Sequence, residues 1–252
     1  MNDVSRETSK SPSAPPATPD LARRVFSSER LSLIEGYAAS LATDGVIRGL
    51  IGPREVPRLW ERHLVNCAVL GGVIPEGAAV CDIGSGAGLP GVVLAIARPD
   101  LKVTLVEPLL RRSTYLTEVT AELELFNVSV VRARAEELHG KEVFDVVTSR
   151  AVAPLERLLG WSMPLVAPEG TLLAMKGSSI ADEIAAAAPV LKRLGCTQPV
   201  VLELGAEVIS PQTFAVQVAW ADPRAVVLAK AQTGSGSGQR GSKSRRGKAR
   251  HS

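Results

Sequence analysis

The segment with the clearest chemical potential is the glycine-rich run DIGSGAGLPG, from Asp82 to Gly91. It follows a short apolar stretch and precedes a stretch with helical periodicity. Gly84, Gly86 and Gly88 would let the backbone turn sharply and let a ligand approach without obstruction from a Cβ atom. Because ligands of doubly wound sheets bind at the carboxyl ends of the strands, this run predicts a nucleotide-binding turn.

The acidic residues near this run bear on which nucleotide binds. Glu107 ends the next predicted strand, where a carboxylate can accept hydrogen bonds from both hydroxyls of an adenosine ribose. Gly86, Gly88 and Gly91 also match the G-x-G-x-x-G pattern of nicotinamide enzymes, so their spacing leaves both cofactors open. Asp82 favours S-adenosylmethionine, since its carboxylate can serve the turn and the charged methionine end. The predicted C-terminal hairpin also favours S-adenosylmethionine. So does the lack of the second cofactor-binding half that a nicotinamide enzyme would have.

Further polar residues follow the later predicted strands. Ala135 and Glu136 come after the third strand, where they could border an adenine, or could simply start a helix with acids at its positive end. Arg150 ends the fourth strand and Lys176 the fifth. Both cations would lie at the sheet edge that a nucleic acid approaches, and a surface salt bridge is the alternative for each.

Arg62 and His63 lie in a predicted helix, close to Trp60. An isolated histidine is more often structural than catalytic, and no metal-ligating partner is spaced to join it. We therefore predict no metal site. We predict no disulfide framework either, because no two of the three cysteines are close in sequence. They are Cys67, Cys81 and Cys196.

The elements that must position these residues form a recognisable order. Strands and helices alternate from residue 79 to residue 194, and two strands then follow with no helix between them. This order predicts an α/β fold, namely a doubly wound, mostly parallel seven-stranded sheet with an antiparallel last strand. It is the arrangement of class I (Rossmann-like) methyltransferases. We predict a disordered segment (1–20), an N-terminal helical region (21–75), an S-adenosylmethionine-binding core (76–222) and a basic disordered tail (223–252).

Composition narrows the classes of protein. The chain has 252 residues, 45% of them hydrophobic, which suits one sizeable core. It has no apolar run long enough to span a bilayer and no secretory signal, so we predict no membrane association and a cytoplasmic location. Residues 232–252 contain six Lys or Arg and no acid. This basic tail either binds nucleic-acid phosphates or is a solvated segment that aids solubility. Composition leaves both interpretations open.

Four motifs resemble a known family in their order and spacing. They are Arg62-His63-Leu64-Val65-Asn66, the run Asp82–Gly91, Ser149-Arg150-Ala151 and Met175-Lys176-Gly177. Together they resemble the RsmG family, also called GidB, over roughly residues 25–220. The family often has Asp-Ser where this chain has Asn66-Cys67, so the role of position 66 is not carried over.

The resemblance implies a bacterial 16S rRNA methyltransferase that transfers a methyl group from S-adenosylmethionine to N7 of a guanine in the 530 loop. Its partner would be 16S rRNA or the small ribosomal subunit, and we expect a monomer. The implied cofactor contacts are Gly84, Leu89, Ala135, Glu136 and Arg150. The chemistry above adds Asp82, Gly86, Gly88 and Glu107.

Guanine N7 carries an in-plane lone pair and needs no general base, so positioning should supply most of the rate. We hypothesise that Arg150 and Lys176 hold the guanine O6 or nearby phosphates, and that His63 or Arg62 shapes the acceptor side. Three alternatives remain. The first is a methyltransferase whose substrate is another RNA, a protein or a small molecule. The others are a non-catalytic ribosome-binding protein and a nicotinamide oxidoreductase.

Overall fold

The computed structural model describes residues 15–177 and 180–226. Within them the β-strands are β1 (Ala79–Ile83), β2 (Lys102–Val106), β3 (Val128–Val131), β4 (Phe144–Arg150), β5 (Val166–Lys176), β6 (Val200–Leu204) and β7 (Thr213–Ala219). The α-helices are α1 (Asp20–Val25), α2 (Leu31–Ser40), α3 (Asn66–Ala68), α4 (Gly91–Ala97), α5 (Leu110–Glu122), α6 (Leu155–Ser162) and α7 (Ile180–Leu194).

Shorter turns of 3₁₀- and π-helix extend or join these helices. The π-helical segments are Leu41–Gly45, which continues α2, and Leu59–Val65, which runs into α3. The 3₁₀ segments are Ser28–Arg30, Pro53–Arg58, Val69–Val73, Ala135–Leu138, Met163–Leu165 and Pro223–Ala225. The chain from residue 53 to residue 73 is therefore one continuous helical stretch of changing pitch.

The seven strands form one sheet in the order β3-β2-β1-β4-β5-β7-β6. All neighbours are parallel except β7, which is antiparallel to both β5 and β6. This confirms the predicted class I, Rossmann-like methyltransferase fold, including the C-terminal hairpin. The chain leaves β1 toward β2 on one side and returns to β4 on the other. The crevice at the carboxyl ends of β1 and β4 is thus the topological switch point, where such sheets bind ligands.

Both faces of the sheet are covered, as near-continuous apolar strands require. Alternate side chains of β1 point to opposite faces. Val80 belongs to a cluster with the N-terminal helices, α4 and α5, whereas Cys81 and Ile83 belong to a cluster with α6 and α7. The predicted N-terminal helical region therefore packs on the same face of the sheet as α4 and α5.

Within the predicted N-terminal helical region (21–75), the first helix ends early, at Val25. Phe26 adopts an extended conformation (φ −102°, ψ 134°) and is 2% exposed. Its ring packs in the core, and helical conformation resumes at Ser28–Arg30. Apolar periodicity could not reveal this break, because Phe26 fits an apolar stripe in either conformation.

The predicted terminal segments lie largely outside the described residues. This holds for residues 1–14 and for residues 227–252, which include all six cations of the tail. Pro16 is among the described residues of the first predicted segment. Its carbonyl accepts a hydrogen bond from Trp60 Nε1 at 3.0 Å, so it packs on the helical region. Among the described residues, no helix combines the length and apolarity that crossing a membrane requires.

Candidate functional site

The turn after β1 depends on glycine at several positions. Gly84, Gly86 and Gly88 have φ angles of +66°, +58° and +97°, a region that L side chains rarely adopt. A Cβ atom at Gly88 would lie 2.8 Å from the Tyr37 hydroxyl, and one at Gly84 would lie 2.9 Å from Val152. The Tyr37 hydroxyl itself donates to the Ala87 carbonyl at 2.6 Å. The turn is therefore held between an N-terminal helix and the loop that follows β4.

Asp82 lies under this turn and is fully buried. Its Oδ2 atom accepts a hydrogen bond from the Gly91 amide at 3.0 Å, at the start of α4. Its Oδ1 atom has no partner among the described residues. Burial raises the pKa of Asp82 to about 7, only partly offset by the hydrogen bond from the Gly91 amide and by the nearby Ser85 hydroxyl, which itself donates to the Asp82 backbone carbonyl. A buried carboxylate with an unpaired oxygen is costly, which favours its protonated form.

Glu107 follows β2 and is 1% exposed. Its Oε2 atom accepts from the Gly86 amide at 2.9 Å, and its Oε1 atom accepts from the Leu109 amide at 3.0 Å. These bonds fix the carboxylate relative to the turn. Each oxygen keeps a further lone pair, so Glu107 can also accept hydrogen bonds from ligand hydroxyls.

Two adjoining cavities open at this edge of the sheet. The smaller, about 210 Å³, is mainly apolar and is lined by Ile83, Gly84, Val106, Pro108, Ala133, Arg134, Ala135, Glu136, Val152 and Trp161. The larger, about 540 Å³, is lined by Leu50, Ile51, His63, Gly84, Ser85, Gly86, Ala87, Leu89, Glu107, Pro108, Leu109, Arg112, Arg150, Ala151 and Val152. They share Gly84, Pro108 and Val152, so they form one cleft.

Most predicted cofactor residues line this cleft. Ala135 and Glu136 border the smaller cavity, at a 3₁₀ turn in which Glu137 Oε1 accepts from the Arg134 amide at 2.8 Å. The structure shows a helical turn beginning at Ala135, and the contact with an adenine stays a prediction. The lining of the larger cavity includes Gly86, Leu89, Glu107 and Arg150, and Gly84 lies between the two cavities. Asp82 and Gly88 support the turn from behind.

Arg150 lies at the end of β4 and reaches the helical region. Its Nη2 atom lies within hydrogen-bonding distance of His63 Nδ1 and donates to the Arg62 carbonyl at 3.3 Å, and its Nη1 atom donates to Cys67 Sγ at 3.5 Å. A guanidinium group has five N–H donors. Two therefore remain unused by the described residues and can serve a ligand in the larger cavity.

The other predicted cations lie differently. Lys176 Nζ donates to the Ala153 carbonyl and to Glu183 Oε2, both at 2.7 Å, and its side chain is only 9% exposed. Lys176 lines neither cavity of the cleft, so the structure supports the ion pair that was its alternative. Through Ala153 it holds the loop that includes Val152. The Arg62 side chain points to a separate surface cavity and lies 3.4 Å from Glu55 Oε1.

Three residues of the site escaped the sequence analysis. Tyr37 and Val152 hold the glycine turn, and Glu55 Oε2 lies 2.8 Å from His63 Nε2. Tyr37 fits an apolar helical stripe and Glu55 lies in a charged helix, so neither stands out by type or spacing. No local signal indicates these contacts, because each joins segments far apart in the chain.

The cleft has the donors and acceptors that S-adenosylmethionine requires. The mainly apolar cavity beside Ala135 suits an adenine, and the Glu107 carboxylate in the larger cavity suits ribose hydroxyls. Asp82 lies behind the turn and lines neither cavity. Among residues 15–177 and 180–226, no group of three His, Cys, Asp or Glu side chains is arranged to hold a metal ion.

Comparison with known proteins agrees with this geometry. The family model described as GidB, rRNA small subunit methyltransferase G, matches residues 30–208. The chain belongs to the GidB family. It is 66% identical over 222 residues to ribosomal RNA small subunit methyltransferase G of Nocardioides sp., covering 88% of this chain and 86% of that protein. The Streptomyces coelicolor protein of the same name is 55% identical over 204 residues, covering 81% of this chain and 85% of its own.

A solved structure described as a mutant of MtNAS has a similar fold. The two chains share 21% sequence identity with a TM-score of 0.50, and the match covers 76% of this chain and 71% of that one. At this identity the likeness concerns the fold alone. Membership of the GidB family therefore rests on the family model and on the relatives of high identity.

Proposed function

We propose that this protein transfers a methyl group from S-adenosylmethionine to N7 of a guanine in 16S rRNA, within the 530 loop. It would act on the RNA or on the small ribosomal subunit, in the cytoplasm. The observation that carries the proposal is the cleft at the β1–β4 switch point, bounded by the glycine turn on one side and by Arg150 and His63 on the other. Membership of the GidB family gives the class of substrate.

Different residues around the cleft would contact different parts of the cofactor. The apolar wall beside Ala135 and Glu136 would hold the adenine. Glu107 would accept the ribose hydroxyls. Asp82, behind the turn, would attract the methionine ammonium electrostatically without touching it. When bound, the cofactor supplies an electrophilic methyl carbon on a sulfonium centre.

On the acceptor side, the described residues offer positioning rather than proton transfer. The N7 lone pair must stay free to attack, so a donor should engage O6 or a phosphate rather than N7. Arg150 has two N–H groups available for that contact. The apolar side chains of Leu50, Ile51 and Leu89 line the same cavity and can exclude water from the base. Orientation and desolvation would then supply most of the rate.

Methyl transfer can be tested with unmethylated 16S rRNA and small subunits as substrates. The protein is incubated with labelled cofactor, and 7-methylguanine is mapped by reductive strand cleavage. We expect one labelled guanine in the 530 loop, and little transfer by Arg150→Ala. Label at another position or in another RNA would replace the proposed target with the first alternative.

A folded protein that binds cofactor and RNA without turnover would instead be a ribosome-binding protein.

The remaining alternative, a nicotinamide oxidoreductase, is tested by thermal unfolding with each cofactor. S-adenosylmethionine should raise the Tm, whereas NAD should not, because only a ligand of the native state stabilises it. A rise with NAD alone would contradict the proposed cofactor.

A further inference from the structure

Glu55, His63 and Arg150 form a chain of polar contacts that ends in the cleft. Glu55 Oε2 lies 2.8 Å from His63 Nε2, and Arg150 Nη2 lies within hydrogen-bonding distance of His63 Nδ1. A guanidinium group can only donate, so Nδ1 must be the acceptor. The ring proton of the neutral imidazole must then be on Nε2, where it is donated to Glu55. Both contacts therefore require the same tautomer.

The surroundings of His63 favour its neutral form. Its ring is largely buried in the π-helical segment Leu59–Val65. Burial, with the Arg150 guanidinium as the second cause, lowers the pKa of His63, although the hydrogen bond to Glu55 opposes this. The charged groups that face the ring are Glu55, Arg62 and Arg150. Near neutral pH the lone pair on Nδ1 therefore remains available to Arg150.

Among the described groups that accept a hydrogen bond from Arg150, only the His63 imidazole can lose its acceptor lone pair through a change of tautomer. The Arg62 carbonyl and Cys67 Sγ also accept from the guanidinium group. With its proton on Nδ1, however, the imidazole would oppose an N–H to the N–H of Arg150. A partner for Nε2–H removes that possibility, as in the second-shell control of histidine tautomers.

We propose that Glu55 is a positioning residue, which selects the Nε2–H tautomer of His63 and so holds the Arg150 guanidinium in the larger cavity. Its effect on the tautomer stands on the geometry alone, and its effect on catalysis rests on the proposed function. Glu55 lies outside the lining of both cavities of the cleft, so it would act through His63 and not by touching a ligand there. Its other contact, with Arg62, is made at the separate Oε1 atom.

The tautomer can be measured directly in the full-length protein. Histidine-selective ¹⁵N labelling gives spectra that distinguish Nδ1–H from Nε2–H, and a His63→Asn variant assigns the signals among the three histidines. We expect a dominant Nε2–H form in the wild type and a mixture in Glu55→Ala. Glu55→Gln should keep the wild-type form, because its amide oxygen can still accept from Nε2–H.

Glu61→Gln is the matched control. Glu61 is an exposed acid in the same helical stretch and forms no hydrogen bond or ion pair with the residues that the structure describes. Its substitution removes the same charge from the same segment, so long-range electrostatics alone would affect both variants alike. The His63 signals should be unchanged in Glu61→Gln.

Kinetics with 16S rRNA then test the consequence. For Glu55→Ala we expect the KM for rRNA to rise about tenfold, the ratio given by losing one hydrogen bond to a charged group. Glu55→Gln should recover most of this loss, and Glu61→Gln should match the wild type. A fall in the amount of folded protein would lower the apparent kcat and leave the KM unchanged.

An unchanged tautomer in Glu55→Ala would overturn the proposal, and so would an unchanged KM beside an altered tautomer. If the wild-type protein methylated no RNA, the proposed function would fail. The ¹⁵N spectra would still decide whether Glu55 controls His63, so the two failures are distinguishable.

Discussion

Asp82 shows how a single residue can link ligand binding to pH. Its carboxyl group is fully buried, one oxygen bonds the Gly91 amide, and the other has no partner among the described residues. Because burial raises its pKa to about 7, a large fraction of the free protein carries a protonated Asp82 at neutral pH. An ammonium group bound on the cleft side of the turn would favour the carboxylate electrostatically and so promote loss of that proton.

We therefore expect the affinity for S-adenosylmethionine to rise with pH. Between the pKa of Asp82 in the complex and its higher pKa in the free protein, the Kd should fall by up to about tenfold for each pH unit, because binding there releases one proton. Calorimetry between about pH 5.5 and about pH 6.5, at least one unit below the pKa of an α-amino group, measures this change. Asp82→Asn is the control, since it keeps the shape of the side chain and should remove the pH dependence. A wild-type Kd that did not change with pH would rule out this role.

The same residue affects the stability of the free protein. The folded state binds the proton of Asp82 more tightly than the unfolded chain does, since the folded pKa is the higher one. The stabilisation that this tighter proton binding gives the folded state is fully present below the ordinary pKa of an aspartic acid and is lost as the pH rises through about 7. Without ligand, Asp82 should thus lower the free energy of unfolding as the solution becomes neutral.

At the scale of elements, the N-terminal helices contribute to the cleft as well as to the core. Helix α2 places Tyr37 against the glycine turn, and the helical stretch from residue 53 to residue 73 places His63 against Arg150. Lys176, at the end of β5, ties the loop after β4 to Glu183 of α7. Three separate elements therefore immobilise the loops around the cleft, which lowers the cost of ordering them when a ligand binds.

Tyr37→Phe tests the contact between α2 and the turn. The variant leaves the buried Ala87 carbonyl without its donor, which should cost about 1–3 kcal/mol of stability. It should also raise the Kd for S-adenosylmethionine, because the turn loses one of its supports. Thermal unfolding and calorimetry measure the two effects.

Tyr115→Phe is its control. Tyr115 is also buried, but its hydroxyl lies 3.1 Å from Ser40 Oγ and does not contact the turn. This variant should lower the Tm without changing the Kd. Equal effects of both variants on the Kd would mean that the hydroxyl of Tyr37 has no special role in the turn.

At the scale of the whole molecule, charge is distributed unevenly along the chain. The net charge is only +3, yet residues 232–252 carry six cations and no acid. For a protein that acts on RNA, such a segment can add affinity through phosphate contacts without adding specificity.

Deleting residues 232–252 should weaken RNA binding and reduce its dependence on salt. For every phosphate that the tail no longer neutralises, the slope of log K against log salt concentration should become shallower by roughly 0.7 to 0.9. Filter binding over a salt series, with full-length and truncated protein, gives both slopes. Binding of S-adenosylmethionine should be equal in the two proteins. Identical slopes would indicate a solvated tail that does not touch the RNA.

The sequence by itself was sufficient for the features that depend on neighbouring residues. The alternation of strands and helices predicted the sheet, and the glycines between Asp82 and Gly91 predicted the turn, because sharp backbone turns restrict the residue types locally. The carboxyl ends of β1, β2 and β4 then had to meet at one edge. Asp82, Glu107 and Arg150 could therefore be placed at one edge of the sheet from the sequence alone, and their roles there stay predictions.

Only the tertiary structure decided which groups pair across that edge. It placed Glu55 on His63, Tyr37 on the turn, and Lys176 on Glu183 instead of in the cleft. It also ended the first helix at Val25, before Phe26, whose ring packs in the core. These outcomes depend on how the N-terminal helices and the loop after β4 pack on the sheet. Packing of that kind joins residues far apart in the chain, and local propensity and spacing do not encode it.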